Sequence, residues 1–305
     1  MKTNLGQVTP VFVEKAIGNL VAPNAIASHG GLDPDAKLQA YIAGVGAKLA
    51  AQSPRQGDIE YTFQALASDK IINAYALGNG NVFITRGLLN ILDNEAQLAY
   101  ILGHETGHVA KRHIAKQLDI SLGGLAILAI GTSLVKRLQA LKGDEPAPAP
   151  APAPAKETTD ARQVALSLIV NGFSRRHELE ADDAGIKYAA GSGYDPYAAV
   201  VTMGKLQKLE GEVPPLKVFF RSHPLATDRI DALEERIKAS FPTSGGNTNV
   251  ADYRENVFGD TSGTDEGSPL YQKFGWLIPT FSLAGILGAS YFLWDIMLPK
   301  RIPKH

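Results

Sequence analysis

His104-Glu105-Thr106-Gly107-His108 sets two imidazoles and a carboxylate in the order H-E-x-x-H. On a helix, His104 and His108 stand one turn apart on one face, so two ring nitrogens converge on a point. Neutral imidazoles at that spacing suit Zn²⁺. A carboxylate one residue after the first His suits a general base for metal-assisted hydrolysis. By chance the pattern arises in roughly one chain in a hundred of this size, as a solvated helix face, so its surroundings decide. Asp93 or Asn94 stands where an N-cap is needed, and Glu95 lies in the first turn, where the dipole favours an anion. Leu98, Ile101 and Leu102 supply an apolar stripe.

A catalytic zinc takes three protein ligands and keeps one position open. One known pattern has its third His where this chain has Ile114, and a Gly where it has Lys111. His113 falls one residue short of that position, and on a continuous helix it is turned about 140° away from His108. The third ligand therefore lies elsewhere. In Ser174-Arg175-Arg176-His177-Glu178-Leu179-Glu180-Ala181-Asp182, Glu178 and Asp182 repeat the i, i+4 spacing. One of them suits the metal, and the other suits the second nitrogen of a ligating His, whose tautomer it would fix. Glu178 is the preferred ligand.

His104-Glu105-x-x-His108 followed by Glu178-x-x-Ala181-Asp182 resembles the zinc endopeptidase family that includes HtpX, the CAAX prenyl endoproteases and the mitochondrial Oma-type proteases. The resemblance extends to Asn73-Ala74-Tyr75-Ala76-Leu77, to Val82-Phe83-Ile84-Thr85-Arg86-Gly87-Leu88-Leu89, and to Ser222-His223-Pro224 with Asp228-Arg229-Ile230. It covers roughly Leu32 to Ile237, and the layout is most similar to the compact bacterial envelope branch, which has no multi-span core. It implies an α+β fold, predominantly helical and zincin-type, with a small sheet before the H-E-x-x-H helix. It implies one Zn²⁺ per chain on His104, His108 and Glu178, with Glu105 as the catalytic base and Asp182 orienting a ligand His. Substrates would be misfolded or unassembled envelope or membrane proteins. His223 has two roles open to it: a donor to the oxyanion, alongside Arg221, or an occupant of the zinc's open position at rest. The alternative is a metal-stabilised chaperone or assembly factor with little turnover, which would have no need of Glu105.

Several elements must position these groups. Pro34 and Asp35 open a helix carrying Leu38, Tyr41, Ile42, Val45 and Leu49. Ile59–Leu66 alternates as a strand, and Asn73–Leu77 and Asn81–Thr85 flank the hairpin signal Gly78-Asn79-Gly80. Zinc endopeptidases commonly take substrate as an added strand along a sheet edge. The resemblance makes Gly80, Asn81, Val82, Phe83, Ile84 and Thr85 the expected edge. Asp160–Ala190 reads as one long helix, with further helices over Pro196–Leu209 and Ala226–Ala239 and a weak one around Glu14–Leu20. The uncharged run from Ile120 to Val135 has 16 residues, short of the roughly 20 that span a bilayer as a helix. It is read as a buried or membrane-contacting helix. The Pro-Ala tract within 144–157 is an extended loop inserted between the two metal motifs. The metallopeptidase domain is expected over 1–240, a polar flexible linker over 241–269, and an apolar segment over 270–305.

The chain has 305 residues, enough for a substantial core, and Lys+Arg 30 against Asp+Glu 31 leaves it near neutral. No nucleic-acid partner is expected; protein and peptide substrates are. Without Cys, metal ligands must come from His, Asp and Glu. Lys2 is a thin charged region and Glu14 and Lys15 interrupt the apolar stretch, so no convincing signal peptide is read at the N-terminus. Trp276–Trp294 is 19 residues without a formal charge, flanked by Tyr271 and followed by Lys300, Arg301 and Lys304. It is read as a membrane anchor. The basic tail places the catalytic domain outside the cytoplasm, in the envelope; a tail-anchored form facing the cytosol is the alternative. Nothing in the sequence sets an oligomeric state.

Overall fold

The computed structural model describes residues 9–122, 172–210, 213, 216–224, 227–241 and 245–259. The fold is α+β and mostly helical, with one three-stranded sheet ahead of the central helix, as the sequence implies. Helix α1 (Val11–Ser28) is longer than the weak helix expected there. Helix α2 (Ala36–Ala50) starts where Asp35 accepts from the backbone N–H groups of Lys37 and Leu38. Strands β1 (Thr62–Leu66), β2 (Ala74–Ala76) and β3 (Asn81–Thr85) follow, then a single turn, α3 (Arg86–Leu89).

The sheet order is β1-β3-β2. The β2–β3 hairpin turns at Gly80, whose φ of 96° and close approach to the Glu60 carbonyl admit no side chain. β1 pairs with β3 in parallel, Thr62 opposite Asn81, and β2 pairs with it antiparallel, Tyr75 opposite Phe83. Gly80 to Thr85 is therefore not a sheet edge. β3 is the central strand, with its backbone groups used on both sides. The free edge near the metal helix belongs to β2.

Helix α4 (Glu95–Ala110) carries the H-E-x-x-H residues and is capped by Asn94, whose side chain accepts from Gln97 N–H at 3.0 Å. It is buried along almost its whole length, so it is the axis of the core rather than a surface helix. Helix α5 (His113–Leu122) follows after Arg112, a non-glycine residue at φ 57°. Helix α6 (Arg175–Gly191) carries Glu178 and Asp182 and is capped by Ser174. Gly172 lies at φ 74° and the helix begins at Arg175, so the single helix expected over Asp160–Ala190 does not run through. Its earlier part lies outside the described residues, as do the Pro-Ala tract, the stretch beyond Leu122 and the C-terminal apolar segment. Helices α7 (Ala198–Leu209), α8 (Leu216–Ser222) and α9 (Thr227–Ser240) complete the core. Helix α10 (Val250–Phe258) lies within the expected flexible linker, yet Tyr253 on it is buried and donates to the Leu89 carbonyl at 2.6 Å. Among the described residues no helix is long and apolar enough to cross a membrane.

Two contacts set the position of α4. Its flank against α6 is made of Gly103 and Gly107 facing Ala181, Ala184 and Gly185. A Cβ at Gly107 would stand 2.8 Å from Ala184 Cβ, and one at Gly185 would stand 3.0 Å from the His104 backbone nitrogen. Its C-terminal end is held by α1. Buried Glu14 pairs with Arg55 at 2.9 Å and with Arg112, while Arg55 donates to the Val109 carbonyl at 2.8 Å. Val13, Ile17 and Val21 of α1 pack on Tyr75, Leu77 and Phe83 of the sheet and on Ile114 and Leu118 of α5.

Candidate metal centre

Close packing of α4 on α6 brings both sequence motifs to one point. His104 Nε2 and His108 Nε2 are 3.0 Å apart. Glu178 Oε2 lies 3.5 Å from His104 Nε2, and Oε1 lies 3.5 Å from His108 Nε2. His223, at the end of α8, adds Nδ1 at 3.3 Å from His104 Nε2 and 3.4 Å from Glu178 Oε2. His104, His108, Glu178 and His223 are all buried, and they form one group of ligating atoms. Donors about 2.0–2.1 Å from a tetrahedral centre are about 3.3–3.4 Å from one another, so this set has the spacing of a tetrahedral N₃O site.

Neither Glu178 oxygen accepts a hydrogen bond of ordinary geometry; Arg229 Nη1 meets Oε2 at 2.9 Å as an ion pair. Arg229 offsets part of the cost of burying this carboxylate, and Oε1, which faces His108, leaves room for a second cation to offset the rest. The residues present fit a bound Zn²⁺: two imidazoles and a carboxylate, with a third imidazole in the remaining corner.

The surroundings set the charge of each candidate ligand in the metal-free protein. Asp182 Oδ1 stands 2.9 Å from His104 Nδ1, the position expected of a group that orients this ligand. The same oxygen accepts from Tyr100 at 2.9 Å and from Arg229 Nη2 at 2.7 Å. Burial opposes its charge, but the Arg229 guanidinium and His104 together outweigh it and bring Asp182 down to about 2. Glu178 is likewise held well below the usual carboxylate range: burial opposes its charge, and His223 and His104 overcome it. Burial, then the nearby His104 charge, keeps His108 well below its ordinary value and so neutral. For His104 burial lowers the pKa, but the hydrogen bond to Asp182 and the nearby Glu178 carboxylate outweigh it and raise it to about 10 in the metal-free protein.

Glu105 is buried, with neither oxygen hydrogen-bonded in good geometry. Burial raises its pKa, in the direction that suits a base working near neutral pH. It faces the outer edge of β2. Asn73 O and Leu77 N are used by β3, so the groups of Ala74 and Ala76 point away from the sheet. Ala76 N–H faces the Glu105 carboxylate, and Ala74 O lies 3.3 Å from His223 Nε2. His223 Nε2 is also 3.4 Å from Glu105 Oε1. Arg221 is exposed and takes no part in this cluster.

Sequence reasoning passed over three residues here. Arg229, 1% exposed, binds Glu178 and Asp182 of α6. It lies on the same stripe of α9 as Leu233 and Ile237, and a charge inside an apolar stripe demands a buried partner. His113 is fully buried with Nδ1 at 2.9 Å from His108 Nδ1, and Glu180 Oε2 lies 3.1 Å from its Nε2. Burial holds His113 down to about 3, hence neutral.

A model of peptidase family M48 matches residues 36–237. The β-barrel assembly-enhancing protease of Escherichia coli (strain K12) is 28% identical over 244 residues, 79% of this chain and 47% of its own length. The mitochondrial metalloendopeptidase OMA1 of Arabidopsis thaliana is 28% identical over 197 residues, 61% of this chain and 35% of its own. The metalloprotease LoiP of Escherichia coli (strain K12) is 28% identical over 172 residues, 56% of this chain and 60% of its own. The chain thus spans less than two thirds of each of these relatives.

Proposed function

The chain belongs to peptidase family M48, and from that premise we propose that it is a zinc-dependent endopeptidase whose resting site is closed by His223. The observation that carries this reading is the group of four buried ligating atoms, in which Glu178 has one cationic neighbour, Arg229 at Oε2, and turns Oε1 toward His108. His104, His108 and Glu178 would hold one Zn²⁺ per chain. When bound, the ion would polarise the scissile carbonyl and make a water acidic enough to ionise near neutral pH. Glu105 takes the proton of the attacking water and passes it to the leaving amine. Asp182 and Arg229 keep His104 and Glu178 in place. A substrate strand pairs with the outward groups of Ala74 and Ala76 on β2, which brings its carbonyls past Glu105.

His223 stands in the way of all three functions at once. Its Nδ1 fills the fourth corner, its Nε2 faces the base, and that same Nε2–H meets the Ala74 carbonyl that a substrate strand would use. These contacts favour the capping role over the oxyanion role. Catalysis then requires the α8–Pro224 segment to swing out.

The substrates we propose are unassembled or misfolded envelope proteins. The name of the β-barrel assembly-enhancing protease supports this, as does the apolar segment over 270–305, which would anchor the domain at a membrane with the site on the extracytoplasmic side. Cleavage of an unfolded protein by zinc-loaded wild type, Glu105→Gln and His223→Ala tests the scheme. Glu105→Gln should keep its zinc and lose cleavage, and His223→Ala should cut faster than wild type. Equal fragmentation by wild type and Glu105→Gln would sink the enzyme reading. Slower cutting by His223→Ala would return that residue to the oxyanion role.

A further inference from the structure

The two ligand imidazoles are supported in different ways. His104 is held directly by a carboxylate, Asp182. His108 has no carboxylate on its Nδ1; it has another imidazole, that of His113, at 2.9 Å. His113 in turn reaches Glu180 through Nε2 at 3.1 Å.

The hydrogens in this chain have only one consistent placement. This step rests on the reading of His108 as a metal ligand. A nitrogen that binds a cation carries no hydrogen, so His108, whose Nε2 faces His104 Nε2 and Glu178, must carry its hydrogen on Nδ1. That N–H points at His113 Nδ1, which must be bare to accept it. The single hydrogen of neutral His113 is then on Nε2 and is donated to Glu180, an acceptor only. We infer that His113 is a positioning residue for the metal ligand His108, and that Glu180 sets its tautomer, completing a carboxylate–imidazole–imidazole relay.

The rest of the geometry supports it. His177 stacks on His113 with ring centres 4.2 Å apart and planes at 15°, and Phe173 stacks on His108 at 3.9 Å and 22°, so both rings are fixed in plane. Glu180 is steadied by Arg176 at 2.8 Å and Lys116 at 3.6 Å. The turn at Arg112, φ 57°, breaks the helix after Ala110 and swings His113 back over His108. Thr9 and Glu14 hold the Arg112 guanidinium in that turn. His113, His177 and Glu180 are not a second metal site: among the described residues only His104, His108, Glu178 and His223 bring three or more ligating atoms to one point.

The test uses the full chain loaded with zinc and labelled with ¹⁵N at its 7 histidines. Long-range ¹H–¹⁵N correlation reads each ring's tautomer, and His113→Phe identifies the His113 signals. The expected result is hydrogen on Nε2 of His113 and on Nδ1 of His108. In chelator competition, His113→Phe, which keeps the ring stack and removes the acceptor, should lose about 10–100-fold in zinc affinity. His113→Asn, whose Oδ1 falls near the place of Nδ1, should recover most of it. Zinc-loaded wild type with hydrogen on His113 Nδ1, or a folded His113→Phe that binds zinc as tightly as wild type, overturns the relay and leaves the metal site standing. Wild type that takes up no more zinc than His104→Ala overturns the metal site and the relay together.

Discussion

Replacing Gly107 with Ala tests whether the α4–α6 contact sets the ligand spacing. The new methyl would stand 2.8 Å from Ala184 Cβ and 3.1 Å from the Ala181 carbonyl oxygen, and neither neighbour has a flexible end that can turn aside. Carbon atoms in contact sit about 3.5–4.0 Å apart, so from 2.8 Å the helices must part by about 1 Å. Ala in a helix interior is favoured over Gly by about 1 kcal/mol, and overpacking costs about 1–3 kcal/mol. The metal-free variant should therefore lose only about 0–2 kcal/mol of stability. The site should suffer more. Glu178 lies within one turn of Ala181 on α6, so its carboxylate moves with the helix, against a tolerance of about 0.2 Å in metal–ligand distance. Zinc affinity should fall about 10–100-fold, or about 1.4–2.8 kcal/mol. Chelator competition measures the affinity, and thermal unfolding of the metal-free proteins measures the fold. Unchanged zinc affinity in a folded variant would refute the idea that this contact places Glu178.

Three further outcomes follow from the same geometry. Arg229→Leu strips the guanidinium from Asp182 and Glu178 and should cost the metal-free protein about 3–5 kcal/mol in denaturant melts. Arg229→Lys, which keeps the charge but not the fork, should cost less. His104, raised from 6.5 to about 10 in the metal-free protein, contributes stability that is complete below pH 6.5 and is lost as pH rises through about 10. Melts with chelator should thus weaken over that window in wild type, and His104→Asn should flatten the slope; an equal slope in both would exclude His104 as its source. Ala74→Pro deletes an outward N–H of β2 without touching the bonds to β3. It should raise KM for a peptide while zinc content stays constant, and an unchanged KM would move the substrate elsewhere.

What the sequence made legible was what its local spacing encodes. His104, Glu105 and His108 lie within one helical turn, and Glu178 and Asp182 within another, so each pair could be placed on a face before any fold was known. That these faces meet was an inference from chemistry, and the small residues Gly103, Gly107 and Gly185 were its unread structural trace. The sheet edge was misread because the hairpin signal fixes β2 against β3 and says nothing of β1, which inserts in parallel from an earlier stretch. His113 was turned away by assuming a continuous helix, and no residue type announced the left-handed turn at Arg112. Helix α10 was hidden by a polar composition whose buried apolar anchors are Tyr253 and Val257.

Glu14 lies on a helix that precedes the matched stretch of 36–237. Its carboxylate neutralises two arginines, one gripping the end of the H-E-x-x-H helix and one forming the turn that delivers His113. The packing that supports the candidate site therefore reaches further toward the N-terminus than the matched stretch does. A fragment trimmed to the matched stretch would keep every proposed ligand and lose the buttress that aims them, leaving Tyr75, Phe83 and Leu118 uncovered and two guanidinium groups without their counter-ion. Inactivity of such a fragment would report on the missing brace and not on the chemistry.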